Sequence, residues 1–158
     1  MALAITSPVF ANSGPIAARY TCEGADISPE LQWSGEPPKT RSFSLIVDDP
    51  DAPDPRAPKM TWVHWVVYNI PADVHGLAED SAKHGLPHDA KQGANDWKRG
   101  EYGGPCPPIG THRYFFKLYA LDTILPDLGR PTKAQLLSAM KGHVLAEAQL
   151  IGTYAKQH

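Results

Sequence analysis

Prolines and glycines punctuate this sequence from end to end and constrain its fold more than any other feature. The chain has 16 prolines and 13 glycines, grouped in clusters between short apolar runs. Proline is excluded from helix interiors, and clusters of proline and glycine mark turns. The sequence therefore predicts a mainly β protein with many short strands and loops. Candidate strands lie at residues 4–10, 31–33, 42–48, 61–70 and 112–120.

The composition is that of a globular chain without a basic surface. Its 158 residues are 42% apolar and 20% charged, with a formal net charge of −2. This length is sufficient for one domain with its own core, and we expect a single domain over residues 1–158. Nucleic acid is not an expected partner, because no basic stripe could neutralise phosphates. Stable membrane insertion is not expected either, because no apolar run is long enough to cross a bilayer.

The N-terminus and the two cysteines bear on the cellular compartment. The stretch MALAITSPVFANSG, residues 1–14, lacks a basic leader, and residues 6–8 interrupt its apolar run. A signal peptide has a basic leader and an uninterrupted apolar run. We therefore interpret this stretch as a first strand and expect a cytoplasmic protein. Cys22 and Cys106 fit a reducing compartment if they are unpaired. They could also form a disulfide if the fold brings them together, and the sequence leaves both alternatives open.

The C-terminal region has the spacing of a helix. Thr132 is a candidate N-cap, and Pro131 prevents a helix from extending further back. Gly142 is predicted to divide the region into two short helices that pack against the sheets. The apolar residues recur at steps of three and four, which place them on one helical face: Leu137, Met140, Val144, Ala148 and Ile151.

Titratable side chains lie at the ends of three predicted strands. Side chains alternate between the two faces of a strand, and Asp49 continues the apolar face of the strand that precedes it. His64 and His112 begin the apolar faces of theirs, and Tyr114 shares the face of His112. If the loop at 50–60 reverses the chain, Asp49 and His64 meet at one edge of the sheet. His112 and Tyr114 join them if their strand enters from that edge, which would form a small polar pocket. Strict alternation also predicts that His64 shares its face with Trp62, Val66, Tyr68 and Ile70.

Five stretches resemble the phosphatidylethanolamine-binding protein family. Its two signature regions are similar to DPDAP at 49–53 with WVHWVVYNIP at 62–71, and to GGPCPPIGTHRYFFKLYAL at 103–121. RYTCEGADISPELQWSG at 19–35 and GHVLAEAQLIGTY at 142–154 resemble its bacterial branch, the Raf kinase inhibitor-like proteins. The resemblance covers nearly the whole chain, in order. It implies a Greek-key antiparallel β-sandwich with short C-terminal helices and a small anion site at one end.

The resemblance also implies a function and a set of site residues. Phosphate and the phosphoethanolamine head group are the ligands associated with the family. A non-catalytic, cofactor-free binding protein follows, which would regulate or inhibit a protein partner such as a kinase or a protease. Bacterial relatives imply a homodimer, and the family implies a cis bond at Ala52–Pro53. The ligand-binding residues carried over by position are Asp49, Trp62, His64, Cys106, Pro107, Pro108, His112 and Tyr114.

The chemistry of these residues suits a small anion. Both imidazoles could donate N–H groups to phosphate oxygens, and the hydroxyl of Tyr114 could add another donor. We expect Asp49 to lie beside His64, fix its tautomer and raise its basicity. The proline-rich loop before His112 would form a stiff, preformed wall, because proline fixes its own backbone φ.

Three other interpretations remain open from the residues alone. Cys106 with His112 and Asp49 has the residue types of a cysteine hydrolase. The two histidines with one carboxylate have those of a metal site, although no metal-binding motif is present. A protein-binding surface would be sought in the polar loop at 78–100, which contains Asn95, Asp96 and Trp97.

Overall fold

Long, mostly buried strands form the centre of the structure, a computed structural model that describes residues 2–156. This arrangement confirms the mainly β prediction. Within the described residues, no helix is long and apolar enough to cross a membrane. In chain order the elements are β1 (Ala4–Thr6), β2 (Gly14–Pro15), a 3₁₀ helix (Ala18–Tyr20), β3 (Leu31–Ser34), β4 (Ser42–Ala52), β5 (Met60–Pro71), β6 (Gly76–Leu77), α1 (Ser81–His84), β7 (Lys91–Gln92), β8 (Thr111–Leu121), α2 (Lys133–Met140) and β9 (Val144–Ala155).

The strands form two sheets. The larger has the order β2-β9-β8-β4-β5-β7, and the smaller has the order β1-β3-β6. Neighbouring strands are antiparallel except β2 and β9, which pair in parallel. Greek-key connectivity stays a prediction.

One apolar core lies between the two sheets and another covers the outer face of the larger sheet. Trp33 of β3 packs against Phe43 of β4 with ring centroids 5.6 Å apart. Phe43 is fully buried, which contributes about 1.5–3 kcal/mol to stability. On the outer face, Leu136 and Met140 of α2 are buried together with residues of β4, β5 and β8.

The position of β4 in the middle of the larger sheet decides which strand ends meet. β4 runs antiparallel to both β5 and β8, with Asp49 opposite Trp62 and Asp48 opposite Phe115. The end of β4 therefore lies at the same edge as the beginnings of β5 and β8. This is the arrangement that the predicted pocket required.

The predicted alternation in β5 is wrong beyond His64. Consecutive residues of β4 pair with Trp65 and Val63, so His64 is the extra residue of a β-bulge. Trp65 consequently lies in the core between the sheets, whereas Val66 packs in the outer core with α2. A second register shift returns Ile70 to the core between the sheets.

The C-terminal region contains one helix and one strand, so the prediction of two short C-terminal helices is half wrong. Thr132 caps α2 as predicted, in a capping box with Gln135. The second half is β9, which pairs with β8 over nearly its whole length. Leu150, Gly152 and Tyr154 are buried in alternation, the period of a strand. Backbone pairing with β8 outweighed an apolar spacing that also fits a helix.

A disulfide joins Cys22 to Cys106, which answers the question that the sequence left open. It connects the loop after the 3₁₀ helix to the proline-rich segment before β8. Backbone contacts reinforce the connection: Cys22 N–H donates to the carbonyl of Pro105 at 3.1 Å. Gly104 N–H donates to Oδ1 of Asp26 at 2.7 Å.

Removing this disulfide is expected to destabilise the protein. The bond closes a loop with a sequence separation of 84 residues, and cross-links of this kind typically stabilise by about 2–4 kcal/mol, chiefly by restricting the unfolded chain. Urea unfolding of the Cys22→Ser/Cys106→Ser variant should show a loss of this size. Wild-type protein unfolded with excess dithiothreitol is the matched control and should give the same free energy. An unchanged midpoint in both would contradict the prediction.

Candidate functional site

A cavity of about 310 Å³ opens at the edge where β4 ends and where β5 and β8 begin. All eight residues expected at a binding site line it, and the peptide bond Ala52–Pro53 is cis as the family resemblance implied. Four lining residues were not among the eight expected: Ala52 and Pro53 of the cis bond, Met60 and Trp97. Met60 carried a usable signal, since it alternates in phase with Trp62, whereas Trp97 lies in a loop without periodicity. The full lining is Asp49, Ala52, Pro53, Met60, Trp62, His64, Trp97, Cys106, Pro107, Pro108, His112 and Tyr114.

The imidazole of His112 is fully engaged by the protein. Its Nδ1 shares a hydrogen bond of 2.5 Å with Oδ2 of Asp49, and both side chains are buried. Its Nε2–H faces the carbonyls of Pro53 at 3.1 Å and Ile109 at 2.9 Å. Burial raises the pKa of Asp49, although hydrogen bonds from His112 and the Asp51 backbone partly oppose this shift. His112 therefore has no N–H left to offer a ligand in this arrangement.

An exposed arginine holds this pair in place from outside the cavity. Both carboxylate oxygens of Asp51 accept hydrogen bonds from the guanidinium of Arg113, at 2.9 and 2.8 Å. Oδ2 of Asp51 also accepts from the backbone N–H of Arg113. These bonds lower the pKa of Asp51. They join the end of β4 to the beginning of β8, and so fix the spacing of Asp49 and His112.

The imidazole of His64 is held by a backbone carbonyl. Nδ1–H donates to the carbonyl of Gly103 at 2.7 Å, and Gly103 N–H donates back to the carbonyl of His64 at 3.0 Å. Burial lowers the pKa of His64 to about 4, against the opposing effect of the Gly103 carbonyl. The ring is therefore neutral at pH 7 with its proton on Nδ1. No residue within 2–156 forms a hydrogen bond with Nε2, which is left with a lone pair.

Two predictions about the imidazoles are wrong. Asp49 pairs with His112 and not with His64, because the bulge in β5 and the carbonyl of Gly103 give His64 a different partner. The basicity of His64 is lowered by burial and not raised by a carboxylate. Neither imidazole presents a free N–H, so the expected pair of histidine donors to phosphate is absent from the described structure.

Trp97 covers one side of His64 because Asn95 shapes the loop that carries it. Oδ1 of Asn95 accepts from the backbone N–H groups of Trp97 and Arg99, both at 3.0 Å. The rings of Trp97 and His64 are 5.0 Å apart and nearly perpendicular. Trp62 meets Trp97 edge-on at 5.5 Å. The loop thus forms an aromatic wall. Asn95 is buried, so it is not part of a protein-binding surface as predicted.

Tyr114 brings an unused hydroxyl to the cavity. Its ring lies 5.2 Å from that of His64 and 6.3 Å from that of His112. The hydroxyl oxygen is buried and has no hydrogen-bond partner among the described residues. Burial raises the pKa of Tyr114, so the phenol keeps its proton. A buried hydroxyl without a partner costs about 1–3 kcal/mol, which makes this group a candidate ligand donor.

Three observations bear on the cysteine-hydrolase and metal-site interpretations. The sulfur of Cys106 is bonded to Cys22, so Cys106 provides no thiolate nucleophile in this structure. Three or more His, Cys, Asp or Glu side chains arranged to hold a metal ion are not found anywhere in residues 2–156. The ring nitrogens of His112 are both already hydrogen-bonded.

The fold and the cavity define a protein of two β-sheets with a small pocket at the ends of three neighbouring strands. The sequence model of the family described as phosphatidylethanolamine-binding protein matches residues 6–155. The chain belongs to this family, which confirms the resemblance of its motifs.

Similar proteins come from archaea as well as bacteria. A UPF0098 protein of Methanothermobacter thermautotrophicus is 51% identical over 148 residues, which cover 93% of this chain and 95% of the relative. The crystal structure of a phosphatidylethanolamine-binding protein homologue from Chlamydia trachomatis is 44% identical, with a TM-score of 0.89 and coverage of 99% of both chains. YbcL of E. coli is 34% identical, also with a TM-score of 0.89, and covers 99% of this chain and 100% of YbcL.

Replacement of Gly103 is expected to disrupt the aromatic wall. A Cβ atom at this position would lie 2.3 Å from Cζ3 of Trp97, so Gly103→Ala forces the indole to move. Urea unfolding should show that the variant is less stable than wild type by about 1–3 kcal/mol. Gly100→Ala is the matched control, because the nearest atom to its Cβ is the flexible end of Arg130 at 3.0 Å. It should change stability by about 0.5 kcal/mol or less. Equal effects of the two variants would contradict this interpretation of the wall.

Burial of His64 should produce a pH-dependent loss of stability. Between its unfolded pKa near 6.5 and its folded pKa of about 4, only the unfolded chain binds this proton. The free energy of unfolding therefore decreases as the pH is lowered through that window. This group accounts for about 3 kcal/mol, and the loss ends below pH 4. Urea unfolding of wild type and His64→Gln at four pH values isolates the contribution. Identical pH profiles, or an NMR titration of His64 near pH 6.5 in the folded protein, would contradict the shift.

Proposed function

We propose that this protein binds a small oxyanion of the phosphate or phosphoethanolamine type in the cavity between β4, β5 and β8. In this proposal, the protein binds this ligand and does not transform it. The ligand-binding residues are the eight expected from the sequence, together with Trp97 and Met60 as walls. In this proposal, ligand binding controls the regulatory or inhibitory role of the protein.

The observation that carries the proposal is the buried hydroxyl of Tyr114. A phenolic O–H can donate, and an oxyanion is a strong acceptor, so a hydrogen bond between them would satisfy a group that no described residue satisfies. The volume of about 310 Å³ is at the lower end of the range for small-molecule sites. It suits a phosphate head group better than a larger ligand. Membership of the phosphatidylethanolamine-binding protein family supports the same class of ligand.

The preformed wall also supports binding. The disulfide at Cys106 and the prolines at 107 and 108 restrict this side of the cavity before any ligand arrives. Preorganised sites lose less conformational entropy on binding. Hydrogen bonds to the carbonyl of Tyr20 and to the carboxylate of Asp26 hold the same segment. Tyr102 Oη–H donates to the former at 2.8 Å and Gly104 N–H to the latter at 2.7 Å.

The protein partner, the homodimer and the compartment remain predictions. A kinase or protease partner is testable by pull-down with wild type and a pocket variant. The cytoplasmic location has to be weighed against the Cys22–Cys106 disulfide, since such bonds are typical of oxidising compartments. Thiol labelling of the protein in intact cells would decide between the two.

The ligand and its source can be tested by titration calorimetry. Inorganic phosphate and phosphoethanolamine represent free ligands, and vesicles of phosphatidylethanolamine in phosphatidylcholine represent the lipid source. Saturable binding of either free ligand, with 1H–15N NMR shifts at residues of the cavity, would support the proposal. The absence of binding to all three at pH 5.5 to 8 would exclude it.

Tyr114→Phe should separate binding from folding. Loss of a hydrogen bond to a charged ligand weakens binding by about 1.5–3 kcal/mol, so the affinity for phosphoethanolamine should fall about 10-fold to 100-fold. Stability should stay constant or rise, because the variant removes a buried hydroxyl that has no partner among the described residues. Tyr119→Phe, on the opposite face of β8, is the matched control and should leave affinity unchanged. An unaltered affinity in Tyr114→Phe would contradict the role given to its hydroxyl.

A further inference from the structure

The cavity poses a problem for an anion site, because it provides no fixed positive charge. Its lining includes no lysine or arginine. Arg113, a cation at this edge, is paired with Asp51 on the outside. Both ring nitrogens of His112 already have hydrogen-bond partners. A fully ionised phosphate would therefore lose its hydration without meeting a counter-charge, which is costly in a buried site.

Two side-chain groups of the cavity, one donor and one acceptor, have no hydrogen-bond partner among the described residues. Tyr114 contributes an O–H that is free to donate. His64 contributes Nε2, which must accept, because the carbonyl of Gly103 fixes its only proton on Nδ1. The two rings are neighbours, with centroids 5.2 Å apart. A ligand that complements both groups has an acceptor oxygen and a hydrogen-bonding O–H on the same small centre.

We propose that the cavity selects oxyanions that carry an ionisable proton, and that His64 is the specificity-determining residue that accepts this proton in a hydrogen bond at Nε2. The inference rests on the proposed oxyanion-binding function and names the ionic form of the ligand. A phosphate monoester fits as its monoanion, R–O–PO₃H⁻. Its P–O–H donates to His64 Nε2, while an unprotonated oxygen accepts from Tyr114. No covalent bond is made or broken.

Charged neighbours of His64 do not supply the missing proton. Asp48 raises and His112 lowers the pKa of His64, and burial outweighs both. Asp48 is itself paired with Lys117 at 3.1 Å and Lys133 at 2.6 Å on the outer face of the sheet. The titratable groups on the elements packed against His64 come from β4, β8 and the Trp97 loop: Asp48, Asp49 and Asp51; His112, Arg113, Tyr114, Lys117 and Tyr119; and Asp96, Lys98, Arg99, Glu101 and Tyr102.

The proposal separates ligands that a simple anion site would treat alike. Methyl phosphate as a monoanion and methyl sulfate have the same shape and the same charge, but only methyl phosphate has an O–H hydrogen. Dimethyl phosphate also carries one negative charge and lacks that hydrogen. The phosphate of an intact phospholipid is a diester of this second kind. Free phosphate, phosphoethanolamine and other monoesters should therefore be preferred to the lipid itself.

Calorimetric titration of the wild-type protein with methyl phosphate, methyl sulfate and dimethyl phosphate tests this directly. At pH 6, methyl phosphate should bind at least about 10-fold more tightly than the other two, the size of one hydrogen bond to a charged group. Phosphate monoesters lose their second proton near pH 6. Above pH 7 the apparent affinity should thus fall about tenfold per pH unit. Runs in two buffers of different ionisation enthalpy should show uptake of about one proton per ligand at pH 8.

Two further measurements locate the effect at His64. Two-bond 1H–15N NMR spectra of the free protein at pH 7 should show His64 with its proton on Nδ1. In His64→Gln, the side-chain amide can donate as well as accept, so the preference for methyl phosphate over methyl sulfate should shrink to about threefold or less. Tyr114→Phe is the matched control: it should weaken both ligands and leave their ratio unchanged. If His64→Gln does not fold, the wild-type titrations and spectra decide alone.

The outcomes distinguish this inference from the function on which it rests. Equal affinities for methyl phosphate and methyl sulfate, without proton uptake, would leave the oxyanion site standing and overturn the selection of protonated ligands. A proton on Nε2 of His64 in the free protein would overturn it as well. Failure of phosphate, phosphoethanolamine and all three methyl esters to bind at any pH would remove the proposed function and this inference with it.

Discussion

The central position of β4 is the constraint on which the site depends. Because β4 is antiparallel to both of its neighbours, its end and the beginnings of β5 and β8 share one edge of the sheet. Asp49, His64 and His112, which are far apart in sequence, thereby reach a common cavity from strand ends. The loop between β7 and β8 adds Trp97 and residues 106–108. The bidentate contact between Asp51 and Arg113 closes this edge from outside. Sites built on paired strands hold their geometry better than sites on loops.

Within that frame, the cavity has mostly apolar walls, a few polar groups and little net charge. The buried carboxylate of Asp49 is paired with His112, and the buried imidazole of His64 is neutral. Each of these arrangements avoids the cost of an isolated buried charge. The same pairing and neutralisation leave the cavity without the free donors and cations on which an anion site usually relies. Under the proposed function, recognition would come from the hydrogen-bonding pattern of Tyr114 and His64, and the proton on the ligand would be part of that pattern.

Sequence reasoning succeeded where side-chain alternation was regular and failed where the backbone departed from it. In β8, His112 and Tyr114 lie on the predicted face because the strand has no bulge over that stretch. In β5, the bulge at His64 arises from pairing with β4, and the local sequence pattern does not predict it. The partner of Asp49 was consequently assigned to the wrong histidine. β9 also shows that local patterns do not predict strand pairing. Its apolar spacing of three and four residues fits a helix, but its backbone pairs with β8.

If the cavity binds the proposed oxyanion, its well-packed walls favour discrimination by hydrogen bonding over closure around the ligand. A disulfide, two adjacent prolines and the hydrogen bond from Gly104 to Asp26 hold one side. On the other side, the loop of Trp97 is organised by the buried amide of Asn95 and packs directly on Gly103. Neither wall has the sparse contacts expected of a lid. A cavity with walls held in this way would discriminate among the proposed ligands by complementarity at fixed positions. His64 occupies such a position, because the carbonyl that fixes its tautomer belongs to the wall itself.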